Sequence, residues 1–243
     1  MSARISSPAR SDLAPTGRLR AGINYGNFLL VNRDPGSGEP RGIAPDLAHE
    51  LGRRTGLAVE FVAYDQAGKL AEGVRAGAWD IAFLGNEPER ANEIAFSAAY
   101  LEIEATYLVP AGSPIRSIAD VDRDGVRIAV AAKSAYDLFL SRSLKHARLV
   151  RAQGIDGSYD LFVAQKLDVL AGLKPRLVTD AGKLPGSRVL DGRFTAVQQS
   201  IGSPRGRDAA ASYLREFVAD VKASGFVARA IERHGVRGVS VAP

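Results

Sequence analysis

Two eight-residue stretches align without a gap, Gly77-Ala-Trp-Asp80-Ile-Ala-Phe-Leu84 and Gln165-Lys-Leu-Asp168-Val-Leu-Ala-Gly172, and this repetition constrains the fold more than any other feature. In each, a polar turn meets an aspartate, and an apolar run follows that reads as a short buried strand. Each also closes a similar series of elements. Upstream of the first, 19–24 reads as a strand and 45–55 as a helix, with Pro45 near its start and Gly56 as its stop. A strand over 58–62 and a helix over 67–76 lead to the closing strand 80–84. Between strand and first helix, 34–42 is dense in Asp, Pro, Gly and Ser and reads as a hairpin tip or surface loop. The second series runs strand 126–131, helix 135–143, strand 147–151, helix 158–165, strand 168–171. A β-α-β-α-β order implies a parallel sheet. Two copies point to an α/β chain of two lobes, each a mostly parallel sheet flanked by helices; the alternative is one continuous doubly wound sheet.

Two extended segments, 101–110 and 193–202, read as strands that pass between the lobes. A helix over 207–223, with Ala210, Leu214, Phe217, Val218 and Val221 on one face, and a shorter one over 226–233 end the chain. These crossings give lobe 1 as 1–105 plus 193–243 and lobe 2 as 106–192, with 1–17 expected to be a disordered tail.

Composition removes several function classes. The net charge of +5 comes from scattered arginines, with no block of like charges and no interleaved aromatics, so no nucleic-acid partner is expected. Cysteine is absent, which excludes disulfides and thiol catalysis. The three histidines (His49, His146, His234) lie far apart in polar, helix-like contexts, so they are expected to be exposed and no metal or cofactor is expected. No apolar stretch approaches the ~20 residues of a membrane-spanning helix, and 1–20 lacks the apolar core of a secretory signal.

The segment following the first closing strand carries the functional signal. The strand stops at Gly85, a polar turn of Asn86 and Glu87 follows, and then Arg90 stands ahead of Phe96-Ser97-Ala-Ala-Tyr100. An arginine just beyond the carboxyl end of a buried parallel strand sits where open α/β sheets bind ligands, and its planar fork suits a carboxylate. This segment resembles the signature of the family 3 solute-binding proteins, periplasmic receptors of amino-acid ABC importers. Gly42-Ile-Ala-Pro-Asp46-Leu-Ala and Ser117-Ile-Ala-Asp120-Val resemble further phrases of that family, and the resemblance spans about 18–236. It implies a type II periplasmic-binding fold, a ligand held in the inter-lobe cleft by hinge closure, and a membrane ABC permease as partner. It also implies a periplasmic location and a monomer.

By the same resemblance Arg90 clamps the ligand carboxylate, beside Gly85, Asn86 and Glu87, and Tyr25 forms an aromatic wall. Phe28 reads more simply as a cover over the sheet edge. Glu87 stands where the family has threonine, and Ala99 where it has proline. In lobe 2 the family's Gly-Thr or Gly-Ser-Thr turn is Ala132-Lys133-Ser134 here, with Ser134 placed to cap a helix and to donate to a ligand. Where amino-acid binders carry an acid for the α-ammonium, this chain has Leu173 or Lys174, with Arg176 close by. The expected ligand is therefore a small anionic or zwitterionic solute, with organic acids or modified amino acids fitting better than ordinary ones. Two other readings remain open: an enzyme resembling the cyclohexadienyl dehydratases, with Glu87 as acid, and a sensory ligand-binding module.

Overall fold

The protein is described by a computed structural model, over residues 5–243. The chain divides into two compact units, Met1–Glu102 with Gln198–Pro243, and Ile103–Val197. The expected boundaries after 105 and 192 thus shift to 102 and 197, because both crossings are made by unbroken strands and the divisions fall inside them.

In the first unit the elements run α1 (Ser7–Leu13), β1 (Leu19–Asn24), β2 (Asn32–Arg33), β3 (Pro40–Arg41), α2 (Ile43–Thr55) and β4 (Val59–Tyr64). Next come α3 (Ala67–Glu72), β5 (Ile81–Gly85), α4 (Pro88–Ala91) and the first part of β6 (Ile94–Val109). The second unit takes the rest of β6, then β7 (Arg127–Ala131), α5 (Ala135–Ser143), β8 (Arg148–Ala152) and α6 (Gly154–Ala164). It ends with β9 (Val169–Leu173), α7 (Lys174–Ala181), β10 (Arg188–Val189) and the start of β11 (Thr195–Pro204). The first unit resumes with the end of β11, α8 (Asp208–Ala223), α9 (Phe226–Arg233) and β12 (Val239–Val241).

The two units share one design. In the first, β1 lies parallel to β4 and β5, and β11 runs antiparallel to β5 with Gln199 opposite Gly85. In the second, β7 lies parallel to β8 and β9, and β6 runs antiparallel to β9 with Ala105 opposite Leu173. Strands β5 and β9 are buried along their whole length, as expected of strands covered on both faces. Trp79, Leu70, Ala82 and Leu84 pack together in the first unit, and Phe162, Leu167, Leu170 and Leu177 in the second.

The repeated aspartates explain why the two sequences align. Asp80 accepts hydrogen bonds from the Arg20 amide (3.0 Å) and guanidinium (3.0 and 2.8 Å), while Asp80 N donates to Arg20 O at 2.8 Å. Asp168 repeats this with Arg127: the amide at 2.9 Å, Nε at 3.2 Å, and the return bond at 3.1 Å. Each arginine also reaches the carbonyl of the left-handed residue ending the preceding turn, Gly77 in one case and Lys166 in the other. Gly77 takes its φ of 58° freely, whereas Lys166 holds φ 47° with a side chain, at a cost of roughly 1 kcal/mol.

Several expectations are corrected. The tail is not disordered over its described part: α1 buries Ala9 and Leu13, and Asp12 accepts from the amides of Ala209 and Ala210 at the start of α8. Residues 1–4 of the expected tail lie outside the described residues. The helix expected over 67–76 stops at Glu72, where the Trp79 indole folds back to donate to Leu70 O at 2.9 Å. Helices α4 and α7 escaped notice because Pro88 and Pro175 resemble loop residues, although proline suits a first helical turn. His234 is not freely exposed: its Nε2 lies 2.8 Å from Asp46 Oδ2, joining α9 to α2. The expected hairpin tip is present, with Asp34 Oδ1 accepting from the amides of Gly36 and Ser37 between β2 and β3. No helix of the described residues is long and apolar enough to cross a membrane.

Asp80 is fully buried, whereas Asp168 and Arg127 are about half exposed. Burial alone would push the Asp80 carboxyl up. Hydrogen bonds from Arg20 and Arg207 outweigh that and hold it below its ordinary 3.8. A depressed carboxyl contributes its stability above that ordinary value and loses it as pH falls through the folded value. Asp80→Asn is expected to cost about 3–5 kcal/mol in urea unfolding and to flatten the acid limb of the stability curve below pH ~4. Asp168→Asn is expected to cost about 1 kcal/mol or less.

Candidate functional site

Strands β1 and β5 are parallel, so their carboxyl ends share one edge of the first unit's sheet. Strand β5 ends at Gly85, and the Asn86 amide donates to Gln198 O at 2.8 Å, which holds the exit of the strand against β11. Glu87 then takes extended backbone and opens the single turn of α4, with Pro88 in its first turn. This short turn folds the chain back: Arg90 N donates to Glu87 O at 3.0 Å, and Arg90 Nη1 donates to Gly85 O at 2.8 Å. The guanidinium is thereby fixed beside the strand end.

Arg90 is 7% exposed and Glu87 6%. Burial pulls the Arg90 pKa down to about 10, against the opposing pull of Glu87 and Glu89. A cation held out of water interacts more strongly with an incoming anion than a solvated one does. Glu93, beyond α4, is bound by Arg75 at 2.8 Å. Tyr25 follows β1 at the same edge, its amide donating to Tyr64 O, and the Arg33 guanidinium covers its ring at 4.1 Å. Phe28 is an exposed aromatic, 37% accessible.

In the second unit the corresponding edge holds Lys133, Ser134 and Lys174. Lys133 takes φ 57°, in the left-handed region that favours glycine. Its amide donates to Asp137 Oδ2 at 2.8 Å, and Ser134 Oγ accepts from Asp137 N at 3.1 Å, so the two residues cap α5 reciprocally with Asp137. Asp137 is buried and is also bound by Arg151 Nε at 3.0 Å. The nearby Tyr136 phenol is pushed up by burial. Lys174 opens α7 and pairs with Glu104 at 2.9 Å, and Arg193 approaches the same carboxylate at 3.8 Å. Arg176 pairs with Asp156 at 2.7 Å and Asp180 at 2.8 Å.

Arg90, Gly85, Asn86 and Glu87 are thus brought together, with Tyr25 on their sheet edge. Lys133 and Ser134 meet at one helix start. Lys174 and Arg176, which the sequence left as bare cations, are each matched by carboxylates of their own unit. Glu104, Asp137 and Arg151 were missed. The spacing Ser134-x-x-Asp137 was a legible cap signal, whereas Glu104 meets Lys174 only through the pairing of β6 with β9.

The fold and this strand-end arrangement define a type II periplasmic-binding-protein-like α/β chain. It belongs to the bacterial extracellular solute-binding proteins, family 3, which it matches over residues 22–236. Similar solved structures include the solute receptor for L-cysteine of Neisseria gonorrhoeae (22% identity, 96% of each chain covered, TM-score 0.78). Another is the substrate binding protein of an amino acid ABC transporter (16% identity, 88% of this chain and 97% of that chain, TM-score 0.72). A third is an ancestral amino acid-binding protein, a precursor of cyclohexadienyl dehydratase (20% identity, 92% and 97% covered, TM-score 0.74). No curated protein sequence matches the chain.

The cap geometry has a measurable consequence. Ser134→Ala is expected to lower stability by about 1 kcal/mol and Ser134→Gly by a few tenths, read from urea midpoints at constant slope.

Proposed function

We propose that this chain is the solute receptor of an ABC-type importer and captures a small carboxylate-bearing solute, with Arg90 as the carboxylate-binding group. The observation that carries this reading is a buried arginine, anchored through Gly85 O at the carboxyl end of a parallel strand. A planar guanidinium held beside the strand end is the kind of group that binds a carboxylate through paired hydrogen bonds. Tyr25, Asn86 and Glu87 complete the first unit's contribution. In the second unit, Ser134 and the start of α5 offer amide and hydroxyl groups, and Lys133 a positive charge. Membership of the extracellular solute-binding family and likeness to receptors for amino acids support the transport role. Delivery is then to a membrane permease from the periplasm, and the solute leaves chemically unchanged.

For the solute's charge, we favour an organic acid or N-blocked amino acid over a free α-amino acid. The strand-end position after β9 carries Lys174, and its neighbour Glu104 is already engaged by Lys174. A free ammonium there must displace that pair, and a like-charge contact in a desolvated setting is costly.

Calorimetric screening of small carboxylates and amino acids identifies the tightest solute. Against it, Arg90→Lys is expected to weaken binding by about tenfold or more, because a point charge does not reproduce the fork, while the melting temperature stays within a few degrees. Equal affinity in the lysine variant would overturn the Arg90 assignment. A free amino acid binding tightest would overturn the charge preference alone, and recovery of a converted product after incubation would favour the dehydratase-like reading.

A further inference from the structure

Beyond the strand-end residues, the second unit has a cavity of about 380 Å³ at the opposite end of its sheet, by the turn leading into β9. Phe162, Val163, Leu167, Leu184 and Pro110 wall it, and Lys166 supplies its charge. The volume falls within the range of about 300–1,000 Å³ typical of small-molecule sites. Val163 is 43% exposed, one of three large apolar side chains that the described residues leave open to solvent. Lys166 is exposed and meets no carboxylate within ion-pair distance among the described residues.

Lys166 is also the left-handed residue that ends the turn, as Gly77 does in the first unit, although it stands one residue nearer its aspartate. Its carbonyl does the same work as that of Gly77, bonding the arginine of the unit's first strand. The fold therefore needs only a backbone at this point, and glycine would serve it without strain. Strain kept where glycine would serve is an outlier from which a use for the side chain is hypothesised.

We propose that this cavity is a second ligand site, which takes a compact amphiphilic monocarboxylate: an apolar body against Phe162, Val163 and Leu184, and a carboxylate on the Lys166 ammonium. The neighbouring recess shares Pro110, Lys166 and Leu167 but carries Asp120, Asp124 and Asp168. Asp120 and Asp168 are paired there with Arg123 and Arg127, so that recess is polar and the apolar body of a ligand favours the other side. The site is separate from the residues assigned to solute capture, and its occupancy does not depend on that assignment.

Octanoate is the probe, titrated by calorimetry with octanol as the uncharged control. The wild type is expected to bind octanoate at least tenfold tighter than octanol. Lys166→Gly is expected to abolish that preference while its melting temperature stays equal or rises, which separates lost recognition from lost folding. Val163→Asp is expected to weaken octanoate by tenfold or more, whereas Arg90→Lys leaves it unchanged. Undetectable octanoate binding, an unaltered preference in Lys166→Gly, or loss of octanoate binding in Arg90→Lys would each overturn the second site.

Discussion

The architecture of the first unit depends on one buried carboxylate. Asp80 stands where the chain leaves a turn and enters the sheet, and it ties together elements distant in sequence: Arg20 at the start of β1 and Arg207 ahead of α8. A charge removed from water requires both hydrogen bonds and opposite charge to remain ionised there. Two arginines and a backbone amide provide them. Once that pairing sets the register of β1 against β5, the carboxyl ends of both strands fall on one edge, and the placement of Tyr25, Gly85 and Arg90 follows. The second unit repeats the device with Asp168 and Arg127 but leaves it half in solvent, where screening reduces its value.

Much of this was legible in the sequence, because the patterns involved are local. The apolar run at 81–84, Pro45 near the start of α2 and Gly56 at its end are each read within a few residues. The glycine takes the left-handed φ of 67° that a helix terminator needs. Arg90 was legible for the same reason: strand, stop, turn and arginine follow one another directly. What escaped depends on partners supplied by tertiary structure. Nothing near residue 174 shows that Glu104 lies beside it, since that contact arises from strand pairing across a long separation. Nor does the sequence of 7–13 suggest order. Its Ser, Pro and Arg content resembles a loose tail, and its helix persists because Leu13 and Ala9 find a buried face and Asp12 meets the free amides of α8.

The strand-end cations illustrate how structure alters a functional argument. Counted along the sequence, Lys133, Lys174 and Arg176 suggest a strongly positive locus. In the structure, Arg176 is shared between Asp156 and Asp180, and Lys174 lies on Glu104. What stands at the strand ends is a guanidinium anchored by Gly85 in the first unit and a helix start capped through Ser134 in the second.

The second unit is one uninterrupted stretch of chain, Ile103–Val197, whereas the first is assembled from the two ends. During synthesis, therefore, the second unit has all of its own residues before the first has acquired β11, α8 or Arg207. Until Arg207 emerges, Asp80 waits with part of its compensation missing, and α1 has no α8 to rest on. Domains that fold as units on the ribosome ordinarily do so from the amino terminus onward. Here the order is inverted: the inserted unit completes first, and α1, translated before it, is among the last elements to be locked in place.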